Sequence, residues 1–230
     1  MASNRAGLLG VQEIQRGPLR EQARTRIKQL ILTNRLRPGQ VIVIDRLASE
    51  LGVSHTPVRE ALAMLQHDGL VIMRPYGHPR VKEIDDSDVR DVWEMRILLE
   101  GWAARKAALS LSEHDLGRLE KSLERAHRDA LRSEYNSHLK SDRVMHDMII
   151  RSADNKLFDR LAQLTADRST RIRWLVETTA PAEEVLTIID EHCAILNALR
   201  AHDPELTHKR LVAHLQAGME RTLAALDCMK

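Results

Sequence analysis

Between Pro18 and Leu36, apolar residues fall at Leu19, Ala23, Ile27, Leu30 and Ile31, with polar residues between them. That spacing of three and four predicts an amphipathic helix. Pro18 suits its first turn, where a missing N–H costs little. Arg37-Pro38-Gly39-Gln40 then breaks the period and turns the chain. The period returns over 45–51, with Asp45 as the expected cap and Gly52 as the stop. After Val53, a third helix is expected from Ser54 or Thr56 to His67, with Val58, Leu62 and Leu65 on its buried side and Pro57 in its first turn. The pattern then turns β-like: 69–74 and 80–83 are expected to pair as a hairpin across Pro75, Gly77 and Pro79.

Beyond Ile84, glycine and proline become rare and long helical periods take over. Six helices are expected, at roughly 86–109, 112–132, 135–152, 155–178, 181–201 and 203–227. Breaks fall at Ser110-Leu111-Ser112, Ser133-Glu134, Ala153-Asp154-Asn155, Ala180-Pro181 and His202-Asp203-Pro204. Ser112 with Asp115 three residues on reads as a relative of the capping box, and Asp203-Pro204 as an N-cap followed by proline at the first helical position. The expected fold is therefore mainly α, in three segments. Residues 1–17 form a flexible arm, residues 18–83 a winged helix-turn-helix of three helices and a hairpin, and residues 84–230 an all-α antiparallel six-helix bundle.

The formal charge of +2 is unevenly spread. Residues 1–83 carry 13 Lys/Arg against 7 Asp/Glu, a net of +6, and residues 84–230 carry 22 against 26, a net of −4. A basic front end fits contact with a phosphate backbone. Cys193 and Cys228 are the two cysteines and show no metal or disulfide spacing, which fits a reducing compartment. The first 17 residues are too polar for a secretory leader, and no apolar run is long enough to span a bilayer, so a cytoplasmic location without membrane contact is expected.

The chemistry of the front end lies in the third expected helix. His55 and Arg59 are four apart and share the face opposite Val58 and Leu62, so both can point outward. Arg59 can bond a guanine in a fork or clamp a phosphate, and Thr56 with the free N–H groups of the helix start can hold a phosphate. Arg46, Arg74 and Arg80 are candidates for backbone contacts. The segment from Leu47 to Leu62, followed by Leu65 and Asp68-Gly69-Leu70-Val71, with Leu36-Arg37-Pro38-Gly39 upstream and Gly77 in the wing, resembles the DNA-binding half of the GntR family. That resemblance also assigns Ser54 and Gly77 to the DNA-binding set. The chain has Ser54-His55-Thr56-Pro57 where the family usually shows Ser-Arg-Thr-Pro, and Asp45 where a basic residue is common; a neutral His does not reproduce an Arg contact, so the operator sequence is not carried over from relatives.

In the helical part, Asp142 and His146 stand one turn apart on one expected helix, while His192 and His214 lie near the middle of two others. One carboxylate and three imidazoles converging inside a bundle can hold a divalent transition metal with positions left open. From spacing alone, scattered histidines are the competing reading. Asp142-x-x-x-His146, Glu191-His192, Asp203, His214-Leu215 and Arg96-x-x-x-Glu100 resemble the FadR-type C-terminal ligand-binding domain, FCD, across residues 86–227. The resemblance implies a Zn or Ni ion on those four residues beneath a pocket for a carboxylate effector. It also implies a homodimer on a palindromic double-stranded operator. Met145 and Asp154 depart from the family's usual aromatic and Gly.

Arg96 is either the effector's carboxylate clamp or an i,i+4 partner of Glu100. Arg171 and Arg173 are further effector candidates, and His138 is expected at the surface. The function implied is a metabolite-responsive regulator, a repressor, whose organic-acid effector binds at the metal and lowers operator affinity. An open His/Asp site can also activate water, but nothing in the sequence supplies a general base beside it, so an enzyme is not expected. A constitutive DNA-binding protein whose histidines are only structural is the other alternative.

Overall fold

The computed structural model describes residues 18–75, 77–132, 136–176 and 181–229. The expected arm over 1–17, the break at Ser133-Glu134, the end of the fourth bundle helix near 178 and Ala180 lie outside the described residues. The chain divides into two compact units, Met1–Ile84 and Asp85–Lys230.

The first unit holds α1 (Leu19–Leu32), α2 (Ile44–Leu51), α3 (His55–His67), β1 (Val71–Ile72) and β2 (Arg80–Val81). α1 stops four residues before the expected Leu36, because Asn34 takes φ 52 and turns the chain. Leu36 is still buried, in a loop closed by its N–H donating to the Leu30 carbonyl. α2 begins at Ile44, one residue earlier than expected, since Ile44 joins the buried face. This corrects the assignment of Asp45 as a cap: it sits in the first turn, and Val43 precedes the helix with no side-chain cap bond. Gly52 ends α2 at φ 68, a conformation that side chains with a Cβ resist.

β1 and β2 pair antiparallel, Val71 opposite Val81. Val41 bridges to Arg80 and the Ile42 N–H donates to the Pro79 carbonyl, so the loop after α1 adds an edge to the wing that the alternation did not reveal. Ile27, Ile31, Leu51, Val58, Leu62, Leu65 and Val81 close one apolar core beneath these elements. Each such side chain, fully buried, contributes about 1.5–3 kcal/mol. The core therefore fixes α3 by its apolar face and leaves the opposite face free.

The second unit is built from α4 (Asp86–Ser110), α5 (Glu113–Ala130), α6 (Asn136–Arg151), α7 (Lys156–Val176), α8 (Ala182–Arg200) and α9 (Pro204–Met229). α4 starts in a capping box of Asp85 and Asp88, α5 on Ser112, and α9 on Asp203, whose Oδ1 accepts from the Glu205 and Leu206 N–H groups. Asp154, between α6 and α7, takes φ 49, which is why a glycine is common there in the family; a short acidic side chain tolerates it. α4 packs against α6, α7 and α9, and α5 against α6 and α8. This arrangement brings the polar faces of α4, α6, α8 and α9 to the middle of the bundle.

Candidate functional site

In the first unit, Ser54, His55, Thr56 and Arg59 are exposed along the start of α3, while Pro57, Val58, Ala61, Leu62 and Leu65 face inward. Arg59 projects from the apolar core as the spacing requires. Arg74 is exposed after β1, and Gly77 sits in an exposed turn where its N–H donates to the Arg74 carbonyl. Arg80 is exposed on β2 and reaches the Gly39 carbonyl at 3.2 Å. Arg46 is exposed but pairs with Glu50 at 3.0 Å. His55 Nε2 lies 3.3 Å from Asp45 Oδ1, so the two residues that depart from the family pattern face each other.

In the second unit, α6 presents Asp142 and His146, α8 presents His192 and α9 presents His214. One potential ligand atom from each lies within 4.8 Å of all the others, and all four residues are buried. Asp142 Oδ1 is 3.3 Å from His146 Nε2 and 3.2 Å from His192 Nε2, and His192 Nε2 is 3.2 Å from His214 Nε2.

Other charged groups surround this cluster. His146 Nδ1 bonds Glu100 Oε2, and Glu100 Oε1 accepts from Arg96 Nε at 2.7 Å. His214 Nδ1 is 2.7 Å from Glu191 Oε2, and Arg221 forks onto both Glu191 oxygens at 2.8 Å. Arg173 donates to Asp142 Oδ2. Burial would raise the Glu100 carboxyl, but Arg96 and His146 hold it down at about 2. Glu191 is likewise held at about 2 against burial, by His214 and Arg221. His192 is pushed well below 6.5 by burial first, then by its cationic and imidazole neighbours. Burial takes His214 down to about 4, although Glu191 opposes it. Neutral imidazole is the form that binds metal.

Proton accounting tests whether a metal fits. A carboxylate only accepts, so His146 and His214 each carry a proton on Nδ1, toward Glu100 and Glu191, and in the neutral ring form that binds metal Nε2 carries the lone pair. His146 Nε2 is buried with no hydrogen-bond partner among the described residues, facing the Asp142 carboxylate. Acceptors face acceptors across about 3 Å, an arrangement that repels unless a cation is shared between them. The N₃O donor set suits Zn or Ni.

Beside the cluster lies a cavity of about 360 Å³, lined by Arg96, Glu100, Asp142, His146, Ser169 and Arg173 among others. Arg96 pairs with Glu100, as one expectation had it, and also donates to Ser169 Oγ at 3.0 Å from the cavity wall. Arg171 does not line this cavity: two residues along α7 from Arg173 turn a side chain by about 200°. It is buried, and burial lowers its pKa to about 10 against the opposing charge of Asp88. His138 is not at the surface: its ring is buried and stacks on His192 at 6.1 Å, because the stripe it shares with Asp142 and His146 turns wholly inward.

Glu100 and Glu191 were the unrecognised partners of the site. Their signal was adjacency: Glu191 precedes His192, and Glu100 follows Arg96 by one turn.

A basic winged helix with an outward Arg59, in a chain whose helical domain closes around an Asp/His₃ cluster, points to a DNA-binding regulator with a candidate metal centre. Residues 91–217 match the FCD domain and residues 19–77 match bacterial regulatory proteins of the gntR family; the chain belongs to the FCD family, with a GntR-type DNA-binding domain. It is similar to the transcriptional repressor RspR of Escherichia coli K12, 26% identical over 201 residues that cover 86% of each chain. Its fold matches that of E. coli McbR/YncC with a TM-score of 0.77 at 23% identity, covering 90% of this chain and 98% of that one. It also matches the metal-free FCD domain of TM0439, with a TM-score of 0.54 at 23% identity, covering 63% of this chain and 98% of that one. The chain is thus a transcription regulator and not an enzyme. No described helix is long and apolar enough to cross a membrane.

Proposed function

We propose that the protein is a metabolite-responsive repressor. In this reading residues 18–83 read a palindromic operator and residues 84–230 hold a Zn or Ni ion, bind a small organic acid and join two copies. Asp142, His146, His192 and His214 would hold the ion, which when bound supplies an electrophilic seat for one acid oxygen. The observation that carries the sensor half is the adjacency of the four-residue cluster to a cavity that Asp142 and His146 themselves line together with Arg96 and Arg173. A guanidinium meets a carboxylate in a fork, so Arg96 and Arg173 favour an acid over a neutral ligand of the same size.

Arg59 on the free face of α3 is the proposed base or phosphate contact, with Ser54, His55 and Thr56 beside it and Arg46, Arg74, Gly77 and Arg80 against the backbone. Such a regulator would act where a bacterial chromosome lies, in the cytoplasm.

An exposed apolar stripe supports pairing with a second copy. Leu98, Trp102 and Leu109 stand on the outer face of α4, and Leu157, Leu161 and Leu164 on that of α7. Trp102 and Phe158 join the two rows with their rings 5.2 Å apart. Exposed apolar rows on neighbouring helices suit contact with a second copy, which a two-fold axis would place against the same surface.

The effector reduces operator affinity through the difference in its affinity for the two DNA-spacing states; couplings of about 1–3 kcal/mol give roughly 5- to 150-fold. The test is operator binding by fluorescence anisotropy during titration with a panel of small organic acids, with and without chelator. The expected result is an acid that releases DNA and whose effect chelator removes. An identical response from a His192→Ala/His214→Ala double variant overturns the metal-linked sensor.

A further inference from the structure

Two of the four clustered side chains are held from behind in the same way. Arg221 grips Glu191, and Glu191 holds His214 Nδ1 at 2.7 Å. Arg96 grips Glu100, and Glu100 holds His146 Nδ1. His192 has no such chain: its Nδ1 is buried with no hydrogen-bond partner among the described residues. We infer that Glu191, fixed by Arg221, and Glu100, fixed by Arg96, are positioning residues that keep the Nε2 lone pairs of His214 and His146 aimed at one point and so set the affinity for the ion. The inference rests on the metal reading of the cluster.

The physical reason is the tautomer. A neutral imidazole carries one proton, and a carboxylate at Nδ1 draws that proton there, leaving Nε2 as an acceptor. Without the carboxylate the proton can move to Nε2, and the ligand becomes a donor facing into the cluster. The arginine matters because it anchors the carboxylate that faces Nδ1. Clamping also stops rotation of the carboxyl, as the fork on both Glu191 oxygens shows. The two chains differ in one respect. Arg96 and Glu100 line the 360 Å³ cavity, whereas Glu191 and Arg221 do not, so only the Glu100 chain is within reach of an acid bound there.

A control is built into the same bundle. Arg200 on α8 forks onto Glu120 on α5 at 2.6 and 2.8 Å, a pair of the same kind as Arg221 with Glu191, with no histidine bonded to it among the described residues. The experiment measures Zn²⁺ affinity of the full chain by competition with a chromophoric chelator, for the native protein and the variants Glu191→Gln, Arg221→Gln and Glu120→Gln. The visible spectrum of each Co²⁺-loaded protein is recorded in parallel. Losing an outer carboxylate typically weakens a metal by about 10- to 100-fold.

That loss is expected for Glu191→Gln, a smaller one for Arg221→Gln, and native affinity for Glu120→Gln. The Co²⁺ bands should shift in the first two variants only, a change that general loosening of the bundle would not produce selectively. Native affinity in both Glu191→Gln and Arg221→Gln, or an equal loss in Glu120→Gln, overturns the inference while leaving the metal site standing. If Glu191→Gln does not fold, Arg221→Gln decides alone. A native chain that binds neither ion overturns the metal reading, and the inference with it.

Discussion

In the DNA-binding unit, His55, Arg59, Arg74 and Arg80 stand in water on the outside of an apolar core, whereas in the helical unit Arg96, Glu100, Asp142, His146, Arg173, His192 and His214 are themselves buried. The first unit folds on Ile27, Ile31, Leu62 and Leu65 and carries its contacts as additions; removing one leaves the core untouched. The second closes around charges that are costly to bury unless each finds its counterpart. Recognition and stability are therefore separable in one unit and entangled in the other. The open face suits the first unit, because a DNA-reading surface must stay accessible to a large partner.

The widest difference should appear when one charge is removed from each. Glu100→Ala leaves the Arg96 guanidinium buried without its carboxylate, and breaking a buried pair in this way costs about 3–5 kcal/mol. Urea denaturation in the presence of chelator measures it; a loss below 1 kcal/mol would erase the distinction drawn between the units.

Acid should act on the same half. Glu100 and Glu191 sit at about 2 in the folded protein against an ordinary 4.5. A depressed carboxyl contributes stability that is complete above the unfolded value and is lost as pH falls through the folded one. The urea midpoint in chelator should thus fall in two stages. The first lies below about pH 6.5, where the unfolded chain protonates His192 and His214 more readily than the folded one. The second runs from pH 4.5 toward 2 through the carboxyls, and should be less steep in the Glu100→Ala background.

Arg59→Ala is the complementary change. It should weaken operator binding by about 1–3 kcal/mol. Its stability should stay within about 0.5 kcal/mol of native, because the side chain packs against nothing in the core. An equal fall in both quantities would show that α3 depends on Arg59 for folding.

Much of this was legible along the chain. Every helix of the second unit lies within a few residues of its periodic pattern, and Ser112 and Asp203 cap where their spacing said they would. These are signals carried over three or four residues, where one turn of helix brings side chains together. The misplacements came from longer reach. Asp45 reads locally as a cap, yet Ile44 is drawn into the core and the helix starts a residue earlier. His138 reads as a surface residue on its own helix, yet His192 from α8 lies over its ring.

What the amino-acid order alone determined is the set of periods, breaks and caps, the outward face of α3, and the two ligand candidates one turn apart on α6. Only the tertiary packing decided which carboxylates back the imidazoles, that Arg173 rather than Arg171 meets Asp142 at the cavity, and that Val41 edges the wing. Glu100 and His146 are 46 residues apart and Asp142 and Arg173 are 31 apart. Such pairs share no turn of helix, and their meeting depends on how neighbouring helices are stacked and rotated, which local period does not encode.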